Sequence, residues 1–594
     1  MKRKYLLFCL SIAYLLISCD NTSVESSVVK DLSSLPDDLP FFVQPDSLNN
    51  PIKLKLIEAY KEYEEPSINL DTIAEKWGFS LGDPANGLIV TASQIPDTKE
   101  IVSLPHESDK SNWSFWYSKK LLITDPVYLQ VNADDGAQVF QDGQQIVEVV
   151  MGTYFLLNPS ADSSTIHIRV LNNAMEGGLR MAGFSKVATV NRHQSEKEVA
   201  TQVKTFVKQA LQLPVLDNQQ AAIIIKAIEE PNRSNVNAAS RLFVPVQVAP
   251  HLQRMNFSEY ALVYEKSVRS NVAMNILNRT NGARNNFMCD AQEGNMCGVR
   301  SLIEPGFDYN IQLTESKLAV NYPLSLQTAQ VNYSFSVWGD SQGGWNTFSK
   351  LSKRMAQQND AFTIGLGDLV ANGVERSEWV DFFTCLEPLS QKMPLYLIPG
   401  NHDYDGYYNY LYPSNYHDYT FHTDGTKTYF SWRSPYAAFI VLDPNSNFPL
   451  SIDKEQMAWF ENEIQSDVWQ SADWRFVLIH QPPYSQAWPG YQGDEFIKTL
   501  IDEKAESAEI DFVLSGHTHA YERLTKQYGE QKTTFLVLGG AGGTLEPAES
   551  SAEPKMDVVV KKHHFGRFNF STKQIGFQAI GLDGEVLDEF SRSK

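Results

Sequence analysis

Apolar and polar residues alternate over much of the first 190 positions, as expected for strands with one buried face. Val127-Tyr128-Leu129-Gln130-Val131 is followed by a polar stretch, then by Ala137 to Phe140 and the pair Asp142-Gly143. Asp-Gly between alternating runs predicts a hairpin with a two-residue turn. A further strand is expected over Thr165 to Leu171, ahead of Gly177-Gly178. Between 195 and 230 the period changes. Val203, Phe206, Val207, Ala210 and Leu211 recur three and four residues apart, which predicts a helix. Strand patterning returns from about 236 to 328, between Pro250-His251-Leu252-Gln253 and Leu302 to Tyr309. Beyond 330 the pattern becomes short apolar runs, among them Tyr333 to Val337, Leu395 to Ile398 and Phe476 to Ile479. Each ends abruptly at polar residues.

The amino terminus is different. Lys2, Arg3 and Lys4 precede an apolar run from Tyr5 to Ile17, then Ser18, Cys19 and Asp20. The run is too short to span a bilayer, which takes about 20 residues, and matches a signal peptide. From residue 20 to about 65 Ser, Asp, Asn and Pro dominate, predicting a tether.

With 594 residues the chain exceeds one hydrophobic core, so several domains are expected. A net charge of -21, spread along the chain, argues against a nucleic-acid partner, which needs clustered Lys and Arg. A small phosphorylated substrate stays possible, because bound cations reverse a local field. Of the five cysteines, Cys289 and Cys297 flank a short polar loop and can form a disulfide or remain thiols; Cys385 lies in an apolar stretch and is expected in the core.

Candidate chemistry concentrates in five segments: Gly339-Asp340-Ser341-Gln342, Gly367-Asp368-Leu369-Val370, Gly400-Asn401-His402-Asp403, Val477-Leu478-Ile479-His480 and Gly516-His517-Thr518-His519. Polar groups just beyond strand ends converge on one edge of an α/β sheet. Carboxylate, amide and imidazole together suit Zn, Fe or Mn rather than Ca or Mg. Two such ions can clamp the attacking and leaving oxygens of a phosphoryl transfer. Any one segment is commonplace; five in this order are not.

Several resemblances follow. Leu16-Ile17-Ser18-Cys19 resembles a bacterial lipobox, implying lipidation of Cys19, an exported lipoprotein in the cell envelope (outer membrane or cell surface), and membrane attachment through acyl chains. An ordinary secretory signal with a chance cysteine is the alternative. Residues 66–190 resemble galactose-binding-like jelly rolls, or form a β-sandwich spacer that binds nothing. Residues 236–328 resemble a fibronectin III-like domain, joined by a helical linker at 191–235. Residues 329–594 resemble the calcineurin-like metallophosphoesterase superfamily, closest to its purple acid phosphatase branch. Besides the five segments, His517 to Arg523, His480-Gln481-Pro482-Pro483-Tyr484, Glu387-Pro388-Leu389, Thr534 to Gly543 and His564-Phe565-Gly566 carry that likeness.

The resemblance implies a four-layer αββα sandwich after all-β sandwich domains. It implies that Asp340, Asp368 and His519 hold one metal and that Asp368 bridges to a second, held by Asn401, His480 and His517. His402 would act as general acid, oriented by Asp403, while a metal-bound hydroxide attacks a phosphomonoester of a small molecule or glycan. Two residues depart from the family pattern. Gln342 stands where most members have His, and Ala371 where purple acid phosphatases have Tyr. Gln342 either coordinates through its carbonyl oxygen or hydrogen-bonds a metal-bound water. Asp443 is expected to be structural. Tyr484, His563 and His564 can line a substrate pocket, the two histidines being otherwise an exposed pair; Tyr404 to Tyr419 can form a pocket wall or an ordinary loop. The rivals are a phosphodiesterase, and a glycan-binding surface lipoprotein with a degenerate catalytic domain.

Overall fold

The carboxyl-terminal half is built from two sheets placed face to face. In one, the strands Leu395–Leu397, Phe362–Gly365 and Tyr333–Trp338 run parallel and are extended by the antiparallel strands His564–Ser571, Gln574–Gly581 and Val586–Ser593. In the other, Ala437–Val441, Trp474–Leu478 and Phe512–Ser515 run parallel, with Gln531–Leu538 beside them. Phe335, Phe362, Phe439, Phe476, Phe512 and Phe568 fill the space between. A fully buried side chain of this size contributes about 1.5–3 kcal/mol, so this aromatic layer is a main source of the domain's stability. Strands buried on both faces read as unbroken apolar runs, which is the pattern seen in the sequence.

Helices cover the outer faces. Trp345–Met355 and Arg376–Ser390 pack on the first sheet through Phe348, Leu351, Trp379, Phe382 and Leu386. Lys454–Glu463 and Glu495–Lys504 cover the second through Phe460, Ile497 and Ile501. Asp453 and Asp494 cap these two helices by accepting from the Gln456 and Ile497 backbone N–H groups. The result is the expected αββα sandwich.

This computed structural model describes residues 39–82, 87–133, 135–243, 246–256, 259–266, 271–289, 296–301, 307–315, 318–326, 332–404, 427–571 and 573–594. The signal segment, Cys19 and the Tyr-rich loop after Tyr404 lie outside them. Cys289 ends the strand Arg284–Cys289 and Cys297 is the second residue of Met296–Ser301, which belongs to a different sheet; their side chains lie outside the described residues.

Two antiparallel six-stranded sheets form the first β domain. Its strands include Val127–Ala133, Gly136–Gln141 and Ser164–Asn172, close to the predicted limits. Asp142 and Gly143, with φ of 50° and 80°, make the expected turn, and Gln141 pairs with Gln144. The second β domain has three strands in one sheet and four in another. The three-strand part is not closed off: Gln253 pairs in parallel with Leu395, so its sheet runs on into the first of the carboxyl-terminal sheets.

Two segments differ from expectation. The region read as a tether contains helix α1, Pro51–Lys61, whose Leu56 and Ile57 are fully buried. The helical linker is three helices, α2 (Val187–Gln212), α3 (Asn218–Glu229) and α4 (Arg233–Ser240). All four share a core with Phe42, Val43, Val207 and Ile224. Polar composition hid α1 because only one stripe of a short helix needs to be apolar. Helix α2 also ties this unit to the carboxyl-terminal domain, through Lys204 with Asp381 at 2.8 Å and Lys208 with Glu387 at 2.9 Å.

Candidate metal centre

The five sequence segments meet at the carboxyl ends of the parallel strands. Trp338 aligns with Gly365 and Gly365 with Leu397, so Asp340, Asp368 and Asn401 leave one sheet at the same level. Leu478 aligns with Leu514 in the other sheet, which brings His480, His517 and His519 up to the same edge. Asp340, Asp368 and His517 have left-handed backbones, with φ of 62°, 49° and 68°. Such strain in non-glycine residues persists only where the surroundings enforce it, and it clusters at functional sites. Glycine makes the close approach possible. A Cβ on Gly400 would lie 2.2 Å from Asp368 Oδ1, and one on Gly516 would lie 2.4 Å from Asp340 Oδ2.

One group is tightly gathered. Ligand atoms of Asp368, His480 and His517 lie within 4.8 Å of one another, and all three residues are buried. His480 Nδ1 donates to the Leu366 carbonyl at 2.7 Å, leaving Nε2 to face Asp368 Oδ2 at 3.2 Å. Nε2 of both His480 and His517 is buried without a hydrogen-bond partner. A bare imidazole lone pair facing a carboxylate is repulsive unless a proton or a cation lies between them. Burial opposes a charge on His480, but Asp368 outweighs it and lifts the imidazole to about 9. Burial and the neighbouring His480 push His517 down to about 3. One buried nitrogen thus demands positive charge beside another that cannot supply it, which fits a metal ion. Asn401 joins this group through Gln481, whose Nε2 lies 3.3 Å from Asn401 Oδ1 and 2.5 Å from Asn445 Oδ1. Asp443 holds Asn445 in turn by accepting its backbone N–H, which makes Asp443 structural.

The other side is assembled differently. Asp340 Oδ1 and Oδ2 accept the His517 backbone N–H at 2.8 and 3.0 Å, and its carbonyl accepts from Gly542 and Gly543. His519 is held by its Nδ1 on the Thr544 carbonyl and has Nε2 3.6 Å from Asp340 Oδ1. Gln342 Nε2 meets that same His519 Nε2 at 3.1 Å, while Gln342 Oε1 is buried without a partner. Turning the amide over would put Oε1 where a shared ion would need it.

His402 sits at the edge of the site. Its Nδ1 donates to the Ala371 carbonyl at 3.0 Å, and its backbone N–H donates to Asp368 Oδ1 at 3.0 Å. Nδ1 is therefore committed to the backbone, and Nε2 is the other ring nitrogen. Burial disfavours its charged form, but Asp368 and the Ala371 carbonyl outweigh this and raise its pKa. Asp403, expected to orient His402, does something else. Its carboxylate accepts the backbone N–H groups of Leu369, Val370 and Gly400, so it fastens two ligand loops together. The His402 imidazole instead has its Nδ1 on the Ala371 carbonyl.

The pocket residues expected from sequence fare unevenly. Tyr484 turns away: its hydroxyl bonds Asp502, and its ring packs on Phe535 beneath an outer helix. His564 is fully buried rather than exposed, with Nδ1 on the Lys562 carbonyl. His563 is half-buried, with Nδ1 on the Gly540 carbonyl. Trp488 and Tyr491, not identified from sequence, are aromatics at the site among the described residues, with ring centres 5.7 and 5.4 Å from His517. Only their place in an aromatic loop after His480-Gln481-Pro482-Pro483 would have signalled them.

Comparison with known proteins finds relatives of the region that carries these residues. Residues 334–521 match the family model for calcineurin-like phosphoesterase. Purple acid phosphatase 22 of Arabidopsis thaliana is 27% identical over 225 residues, covering 36% of this chain and 50% of the relative. Fe(3+)-Zn(2+) purple acid phosphatase 12 of the same plant is 26% identical over 126 residues, covering 21% of this chain and 25% of the relative. The solved purple acid phosphatase from yellow lupin seeds overlays with a TM-score of 0.49 at 13% identity, covering 81% of this chain and 92% of that one. The chain spans about half the length of the first of these relatives. It carries a calcineurin-like metallophosphoesterase domain, with purple acid phosphatases as distant homologues.

Proposed function

We propose that the chain hydrolyses phosphomonoesters at a dinuclear metal site. The observation that carries this reading is the buried trio Asp368, His480 and His517, with two imidazole nitrogens left without partners at the strand ends. Asp368, Asn401, His480 and His517 would hold one ion, and Asp340, Asp368 and His519 the other, with Gln342 beside it. Bound metal would activate water and neutralise charge on the phosphoryl oxygens.

The chain's own part is positioning and proton transfer. His402 is locked by Ala371, so its Nε2–H points outward and can protonate the departing oxygen. Asp368 keeps that imidazole charged and also ties it to the metal side through the His402 backbone N–H. Trp488 and Tyr491 shield His517 from bulk water. A relative that names an Fe–Zn pair makes iron and zinc, with manganese, the ions to try first.

The test is phosphate release from aryl and alkyl monoesters by chelator-stripped protein reloaded with each metal. Activity should vanish on stripping and return on loading. Retention of full activity by both Asn401→Ala and His402→Ala would sink the assignment. Anchoring at Cys19 belongs to the same proposal and rests on residues 2–20 alone. Labelled palmitate should enter the wild type and not Cys19→Ser.

A further inference from the structure

The loop that follows Asp368 wraps around His402. The Ala371 carbonyl accepts from His402 Nδ1 at 3.0 Å, and the Gly373 N–H donates to the His402 carbonyl at 2.9 Å. A Cβ on Gly373 would lie 1.8 Å from the Asp403 carbonyl oxygen, so the two backbones pass in direct contact. Ala371 itself is exposed. With Glu375 and Glu378 it borders a cavity of about 1110 Å³ that is also lined by Tyr60 of helix α1. Apolar packing therefore does not fix its peptide.

The first turn of the helix Arg376–Ser390 fixes it instead. Glu378 Oε2 accepts the Ala371 N–H at 2.7 Å and the Asn372 N–H at 3.3 Å. Trp379 Nε1 donates to the Gly373 carbonyl at 2.7 Å. The start of this helix is braced in turn by helix α2, where Lys197 pairs with Glu375 at 2.9 Å and Lys204 with Asp381 at 2.8 Å.

The two anchors divide the work. Trp379 holds Gly373 and, through it, the His402 backbone. Glu378 governs the ring. The Asn372 N–H and the Ala371 C=O belong to one trans peptide and point in opposite directions. A carboxylate on the N–H thus aims the carbonyl at Nδ1, and it also polarises that carbonyl into a better acceptor.

We propose that Glu378 is a positioning residue that aligns the His402 imidazole for proton donation to the leaving oxygen. The inference rests on the proposed hydrolase activity, with His402 as its acid. Glu378 acts through a single peptide unit rather than on the reacting atoms.

The experiment uses the full chain, metal-loaded, with glycerol 2-phosphate as a poor leaving group and p-nitrophenyl phosphate as a good one. Glu378→Ala should lower kcat on the glycerol ester roughly tenfold or more, since small misplacements of a catalytic group cost up to about 100-fold. On the aryl ester, which needs little help from an acid, the loss should stay within about threefold. KM and metal content should not move. Glu378→Gln, which keeps an acceptor for both N–H groups, should restore most of the rate. Glu378→Asp, one methylene short of the loop, carries the same test if the alanine variant folds poorly. In a His402→Ala background, Glu378→Ala should cost nothing further, because the two residues act as one unit. Equal losses on both esters, or additive losses in the double variant, overturn the inference and leave the hydrolase reading intact. Failure of metal-loaded wild type to turn over any ester overturns both.

Discussion

The two halves of the proposed metal centre are prepared to different degrees. Around Asp368, His480 and His517 every ligand is buried and aimed, and Leu366 fixes the His480 tautomer. Around Asp340 the parts are present, but His519 Nε2 is engaged by the Gln342 amide, and Ala371 offers only its backbone. The first half would gain a cation with little rearrangement. The second must first move an amide. Preorganisation, more than the number of donors, should then decide which ion binds more tightly.

The strongest way to break this comparison is at His402, which serves both halves. His402→Ala should slow hydrolysis roughly 10²–10⁴-fold, with a larger loss on an alkyl phosphate than on p-nitrophenyl phosphate. An equal loss on both would mean that the ring supports the site rather than donating a proton. Next comes the prepared half itself. His480→Ala should cost roughly 100-fold or more in affinity for one ion, read by metal analysis after dialysis, since even outer partners of ligands contribute 10–100-fold. An unchanged metal content would deny that half its role.

Glu522 links the halves structurally. It follows His519 in the chain and accepts the N–H groups of Gln486 and Ala487, just before Trp488. Burial raises its carboxyl from 4.5 to about 7, outweighing those two N–H donors. A raised acid stabilises the fold fully below the unfolded value and loses that contribution as pH rises through the folded one. Relative to Glu522→Gln, wild type should lose roughly 3 kcal/mol between pH 4.5 and 7. Parallel melting curves for the two proteins across that range would remove this link.

The smallest expected effect sharpens the contrast. Gln342→His should raise affinity at the less prepared half about tenfold by replacing an amide with an imidazole. If metal titration instead shows no change, Gln342 already coordinates as well as His would.

Much of the site was legible because its residues follow strand ends. An apolar run that stops at Gly-Asp or at His marks both the buried strand and the edge where it opens, so Asp340, Asp368, Asn401, His480, His517 and His519 were all readable. The hairpin at Asp142-Gly143 was equally plain, since few residues tolerate that backbone. Asp403 was misread because its neighbour in sequence, His402, is not its neighbour in hydrogen bonding. Tyr484 was misread because the chain turns after Pro483 and sends the ring to the outer face. Helix α1 and the sheet continuation at Gln253 were invisible, because α1 is buried largely against helices far along the chain and Gln253 pairs with the distant Leu395.

Sequence alone determined the kinds of groups available and their placement at strand termini, because both follow from local periodicity and from backbone rules that act over a few residues. Tertiary structure decided which nitrogen of each imidazole is committed to a backbone carbonyl and which carboxylate is already occupied by backbone donors. Those outcomes depend on burial and on hydrogen bonds between distant segments. Burial sets the energy of every charge and lone pair, and it exists only once the sheets have come together.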